Sequence, residues 1–192
     1  MKLTVLNDVA SQSEGGAEAR VAATPDTVAG YVKAGHSVTV VKGAGAKADF
    51  ADALYKDAGA SLSATNLTAV KSADLVLSVT GGTENLVAAM KKGAGITGIL
   101  SPTDNLKYAA ACAKADVTAY ALDYIPRISR AQSMDVLSSQ SNLSGYRSVV
   151  EAGGIYGRAF PMMMTAAGTV APAKVFITVS YTHLTLPTIL LV

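Results

Sequence analysis

The stretch "TPDTVAGYVKAGHSVTVV", Thr24 to Val41, decides the fold. Thr24 is suited to cap a helix, Pro25 to its first position, and Val28, Tyr31 and Val32 fall on one apolar stripe. Gly35 suits the end of that helix, and Ser37–Val41 then reads as a strand. A capped helix that runs within a few residues into a strand is the repeating half of a strand–helix unit.

The same grammar extends outward. Upstream, Lys2–Leu6 reads as a first strand, followed by the polar, glycine-bearing loop "NDVASQSEGGAEAR". Downstream, "DFADALYKDAG" reads as a helix, "DLVLSV" as a strand and "TENLVAAMKKG" as a helix; "ITGIL", "TDNLKYAAACAKA" and "VTAYAL" continue the alternation. Strands alternating with helices predict a mainly parallel sheet with right-handed crossovers, a three-layer α/β domain of flavodoxin-like or Rossmann-like type. Ligands of such sheets meet the carboxyl ends of the strands. The segments to watch are therefore 7–20, 42–48, 80–83, 101–103 and everything from 123 onward.

Composition agrees with a globular α/β chain. With 192 residues, 50% of them hydrophobic and 16% charged, the chain is long enough for one substantial domain, or one domain and a piece of another. A net charge of +2 with no run of Lys or Arg argues against a nucleic-acid footprint and for small-molecule or protein partners. The single cysteine, Cys112 in "YAAACAKA", allows no internal disulfide; it fits a reducing compartment and reads as a small buried hydrophobe, not a nucleophile. The first residues are too short in apolar character for a signal peptide, and no stretch reaches the ~18 continuous apolar residues of a membrane span.

Three polar features precede the most informative one. Gly43, Gly45 and Ala48 in "VVKGAGAKAD" match G-x-G-x-x-A between a strand and a helix, yet the acidic ribose partner expected about 20 residues on is missing from "SLSATNLTAV". A plain tight connection is the better reading. Arg20 could hold a carboxylate ligand in a bidentate pair or tie its loop to Glu18. His36, between a helix-ending glycine and a strand, reads as structural.

Beyond Leu122 the pattern changes. "RISRAQSMDVLSSQSN", Arg127 to Asn142, crowds directed donors and acceptors into one polar loop: the forks of Arg127 and Arg130, the amide of Gln132, and Asp135 with Ser138 at a spacing that shares a helix face. No metal-ligand spacing and no base paired with a nucleophile accompany them, so the set suits orientation of a ligand that carries its own chemistry. A helix follows, in which Leu143, Tyr146, Val149 and Val150 recur at helical spacing and Gly145, Gly153 and Gly154 would admit a close neighbour. "PMMMTAAGTVAPAKVFI" reads as a small-residue loop leading into a strand, Lys174–Ile177.

"YIPRISRAQSMDVLSSQSNLSGYRSVVEA" and "AFPMMMTAAGTVAPAKVFI" closely resemble the NAD(H)-binding alpha component of the proton-translocating NAD(P) transhydrogenases. "RVAATPDTVAGYVKAGHSVTVVKGAG" is similar to the start that this family shares with alanine dehydrogenases. The resemblance spans roughly residues 1–177 and implies two α/β domains with NAD(H) between them. Hydride passes to NADP on a partner beta subunit, coupled to proton movement through membrane subunits. It also implies a homodimer in the complete form, at the inner face of the bacterial plasma membrane through those partners. By motif match, Arg127, Gln132, Asp135 and Ser138 become the polar contacts of the nicotinamide end, and Gln132 the residue that orients the dihydronicotinamide toward its acceptor. The alanine dehydrogenase branch uses a lysine and a histidine where this chain reads "VLSVTGG" and "GILSPTD", with neither. That departure turns Arg20, which matches the relative's substrate-carboxylate arginine, toward a structural role.

In the family the strand matching "AKVFI" runs into a G-x-G-x-x-G, whereas "TVSYTHLTLPTILLV" contains no glycine. The expected organisation is an N-terminal α/β domain over 1–126, a nicotinamide-contacting loop and interdomain helix over 127–173, the first strand of a truncated NAD-binding domain at 174–177, and a non-native tail over 178–192 to which, with His183, no function is assigned. Such a fragment is expected not to bind NADH tightly or turn over alone. Two other readings stay open: an amino-acid dehydrogenase of the alanine dehydrogenase type, and a stand-alone, non-enzymatic α/β binding module.

Overall fold

The computed structural model describes residues 1–11 and 18–177, and divides the chain into two compact units, Met1–Ile125 and the stretch from Pro126 onward. In the first unit, Thr24 accepts a hydrogen bond from the Thr27 N–H and Pro25 opens helix α1 (Pro25–Lys33), as the cap grammar requires. Gly35 follows with φ of +84°, a backbone conformation that an L side chain rarely adopts, and the chain enters strand β2 (Ser37–Val41). Thr65, Thr83 and Asn105 repeat the capping bond at the starts of α3 (Asn66–Val70), α4 (Glu84–Ala88) and α5 (Leu106–Ala115).

With β1 (Lys2–Val5), β3 (Ser61–Ser63), β4 (Leu75–Leu77), β5 (Gly95–Gly98) and β6 (Thr118–Ala121), the strands form one six-stranded sheet in the order β3-β2-β1-β4-β5-β6, every pairing parallel. Val5 lies opposite both Val40 and Leu77, which sets the register at the centre. The period of two sends Leu3, Val5, Val38, Val40 and Leu77 into one buried cluster with Val28 and Tyr55, while Leu6, Val76 and Ile96 enter another with Val70, Leu86, Val87, Tyr108 and Cys112. Helices α1 and α2 (Asp52–Asp57) serve the first cluster, and α3, α4 and α5 the second. The predicted three-layer parallel α/β architecture is what the chain forms.

The elements differ from the sequence reading in detail. The region "SLSATNLTAV", notable in the sequence only for what it lacks, forms β3 and α3. A three-residue strand at the sheet edge, with Ser61 exposed, is too short and too polar to signal itself. The helix expected over Asp49–Gly59 is confined to α2, because Ala46–Ala48 forms a 3-10 turn and Asp49 takes φ of +61°.

The second unit holds a 3-10 turn at Ser129–Met134, the 20-residue helix α6 (Val136–Ile155) and an antiparallel hairpin of β7 (Met163–Thr165) and β8 (Gly168–Val170). The hairpin corrects the expected small-residue loop: the Thr165 hydroxyl donates to the Gly168 carbonyl and accepts from the Ala167 N–H, closing a turn that Gly168 completes at φ of +139°. The expectation at Lys174–Ile177 is the first strand of a truncated domain. That segment pairs with no strand among the described residues, and its Val175 and Phe176 are exposed; a strand exists only through its ladder. Along α6, Leu143, Tyr146 and Val150 are exposed, and the room at Gly153 is used only by Phe160, which stacks on Tyr156 with ring centroids 5.4 Å apart. The tail from 178 to 192, with His183, lies outside the described residues. Among those described, no helix is long and apolar enough to cross a membrane.

Candidate functional site

The carboxyl ends of β1 and β4 lie side by side, at the point where strand order reverses. Asp8, three residues past β1, is buried there. Its carboxylate accepts from the Ser78 hydroxyl at 2.5 Å, the Val79 N–H at 3.0 Å, the Thr80 N–H at 3.4 Å and the Thr80 hydroxyl at 3.2 Å. Ser78 in turn accepts from the Gly81 N–H at 2.8 Å, and the Tyr108 hydroxyl donates to the Gly81 carbonyl at 2.6 Å. Burial, with Cys112 beside it, pushes the Tyr108 phenol far above its ordinary pKa, so it stays a donor. One strand further, Asp123 accepts from the N–H groups of Leu100 and Ser101 at 3.0 and 2.9 Å and holds Ser101 at φ of +43°. Neither carboxylate stands out as a site residue in the sequence. Their one signal is a short acid standing just past a strand, with backbone amides from the neighbouring strand's end to receive.

The glycine loop after β2 is a plain connection. The Gly43 N–H donates to the Asp52 carboxylate at 2.8 Å, the Ala44 and Ala46 N–H groups donate to Val41 and Gly43, and those of Ala48 and Phe50 to Gly45. A pyrophosphate needs such amides unengaged and no carboxylate among them. A Cβ at Gly45 would lie 2.7 Å from the Tyr55 hydroxyl and 2.8 Å from the Phe50 carbonyl, so this glycine serves close packing. Nucleotide phosphates therefore do not fit this loop.

Arg20 is engaged locally. Its Nε and Nη2 donate to the two oxygens of Glu18 at 2.8 Å each, and its N–H donates to the same carboxylate at 2.9 Å. The pair holds the Glu18 carboxyl below its usual range, chiefly through the side-chain hydrogen bond. His36 is half-buried and gives its N–H to the Tyr31 carbonyl, at the end of α1. Cys112 is buried, and burial raises its thiol, which suits a core side chain and no nucleophile.

In the second unit the four predicted contact residues separate into two kinds. Asp135 caps α6: one oxygen accepts the Ser138 N–H at 2.9 Å and the other its hydroxyl at 2.6 Å, which lowers the Asp135 pKa. Arg127 stands two residues before the 3-10 turn and Gln132 lies within it, both exposed, and neither side chain makes a hydrogen bond among the described residues; the Arg127 charge adds to the lowering at Asp135. Asp135 and Ser138 thus anchor the loop to a helix, and Arg127 and Gln132 present donors and acceptors from it. Arg130 is likewise exposed. No cluster of His, Cys, Asp or Glu among the described residues could hold a metal.

Comparison with known proteins fits this arrangement. A family model described as alanine dehydrogenase/PNT, N-terminal domain, matches residues 12–144. A Rickettsia prowazekii (strain Madrid E) protein named as the first portion of NAD(P) transhydrogenase subunit alpha is 44% identical over 165 residues, covering 83% of this chain and 43% of that protein. Its Rhodospirillum rubrum counterpart of the same name is 45% identical over 166 residues, with coverages of 83% and 43%. Among solved structures, a transhydrogenase from Sinorhizobium meliloti superposes with a TM-score of 0.80 at 39% identity, over 90% of this chain and 50% of that one. An L-alanine dehydrogenase gives a TM-score of 0.70 at 25% identity, over 80% and 40% of the two chains. The chain thus spans less than half the length of these curated relatives. Sheet order, motif and match agree, and the chain belongs to the alanine dehydrogenase/PNT N-terminal domain family.

Proposed function

We propose that this chain is the N-terminal portion of the NAD(H)-binding alpha component of a transhydrogenase, whose complete form passes hydride between NADH and NADP on a beta subunit while membrane subunits move protons. The observation that carries the reading is identity of 44% to a transhydrogenase alpha subunit over 83% of the chain. The geometry of the polar loop supports it. A nicotinamide bound at this loop would supply the hydride; the chain's task is orientation, for which Gln132 offers both a donor and an acceptor and Arg127 a fixed planar fork. Asp135 and Ser138 bind each other, yet each Asp135 oxygen keeps a further lone pair for a ribose hydroxyl. The complete protein is a homodimer that sits on the inner face of the membrane through its partners.

An alanine dehydrogenase activity is the weaker reading. The turns after β4 and β5, which carry that relative's lysine and histidine, hold neither residue here, and their backbone is clamped by Asp8 and Asp123. The test uses the complete alpha subunit with its beta partner. Gln132→Ala is expected to lower the hydride-transfer rate by an order of magnitude or more while leaving NADH affinity within a few-fold, as for a misoriented reactant. Unchanged transfer would remove Gln132 from the site. Pyruvate- and ammonia-dependent NADH oxidation would revive the amino-acid dehydrogenase instead. The 192-residue chain itself is expected to give no tight NADH binding in a fluorescence titration.

A further inference from the structure

A parallel sheet in this strand order offers its ligand crevice where the order reverses, between β1 and β4, with backbone N–H groups ready for an anion. In this protein that place is filled from within. Asp8 is 1% exposed and takes the Val79 and Thr80 N–H groups together with the hydroxyls of Ser78 and Thr80. The turn beneath has no slack: Gly81 stands at φ of +86°, and a Cβ there would lie 2.5 Å from the Leu100 side chain and 2.9 Å from the Tyr108 hydroxyl. A buried carboxylate is tolerable only with its full set of donors, so Asp8 cannot swing out without a large cost.

We propose that Asp8 is a built-in anion: its carboxylate occupies the switch-point crevice of the first unit in place of an external carboxylate or phosphate, and thereby bars anionic ligands from this unit. An arriving phosphate would find the amides already engaged and a negative charge among them. The inference concerns residues of the first unit alone and stands whether or not the nicotinamide reading of the polar loop holds.

Chemical complementation tests it on the 192-residue chain. Asp8→Ala is expected to unfold at a lower temperature than the unaltered protein in sodium chloride. Sodium formate at matched ionic strength is expected to restore some of that loss saturably, because formate can take the vacated donors. The unaltered protein and Asp8→Asn should unfold alike in the two salts. Asp8→Ala that melts like the unaltered protein, or that responds equally to formate and chloride, overturns the proposal. Should Asp8→Ala give no folded protein, the unaltered chain decides by amide exchange followed by NMR. Protection of Val79 and Thr80 by a factor on the order of a hundred or more over unstructured amides is expected, and exchange at the unstructured rate overturns it. A saturable shift of those two amide resonances with inorganic phosphate would also overturn it.

Discussion

The first unit pairs its carboxylates and buries its apolar side chains, whereas the second leaves Arg127, Gln132 and much apolar surface exposed. In residues 1–125, Asp8, Asp123, Asp52 and Glu18 each close on named donors of the same unit, and the apolar side chains fill two clusters against one sheet. From Pro126 to Ile177, Ala131 is the single buried hydrophobic residue among those described, while Leu143, Tyr146, Val150 and the methionines Met162, Met163 and Met164 are exposed, as are Arg127 and Gln132. A region that satisfies itself is built for stability. A region that carries unengaged donors beside uncovered apolar surface is built to meet something else.

The contrast breaks most readily at the core. Ile96→Ala, on β5 and fully buried, is expected to cost about 2–5 kcal/mol in denaturant unfolding, whereas Leu143→Ala on α6 should stay within about 0.5 kcal/mol. Equal costs would mean that the second unit packs as tightly as the first. Next comes Gly45→Ala, where the new methyl meets backbone and a tyrosine hydroxyl. A loss of about 1–3 kcal/mol, read in the same way, is expected, and a neutral result would show that the loop can relax as a phosphate cradle must.

Asp135→Ala removes the cap of α6 and should lower helicity by circular dichroism, with a smaller effect on overall unfolding than Gly45→Ala. The cap also sets a pH dependence. Because the folded-state pKa of Asp135 lies below its unfolded value, its contribution is complete above the ordinary carboxylate range and is lost as pH falls through the lowered value. Asp135→Asn keeps a capping oxygen without the charge, so its acid melting curve should be flatter than that of the unaltered chain. The smallest effect belongs to Gln132→Ala, within about 0.5 kcal/mol in stability, since the side chain touches no partner among the described residues. A larger loss would make Gln132 structural and weaken its assignment to the nicotinamide.

Local chemistry makes much of this legible in advance. Thr24, Pro25 and Gly35 mark helix ends through bonds that lie within a few residues, and the alternation of Val38 and Val40 reports burial directly, so the parallel α/β fold follows from nearest neighbours alone. The polar loop at Arg127 is equally visible, because a concentration of forked and amide side chains is a property of composition. Edge strand β3 and the β7–β8 hairpin are not visible, as three-residue strands carry too little period to be read.

What the sequence by itself determined, then, is the fold class, the family and the position of the polar loop, each of them encoded in short-range pattern. Tertiary structure alone decided that Asp8 meets Ser78, Val79 and Thr80 across some 70 residues of chain, that Asp123 receives the Leu100 and Ser101 amides, and that Asp52 holds the Gly43 amide. The physical reason is that a carboxylate's role depends on which donors arrive within about 3 Å of it, and that is settled by strand order and loop closure, not by its neighbours in sequence.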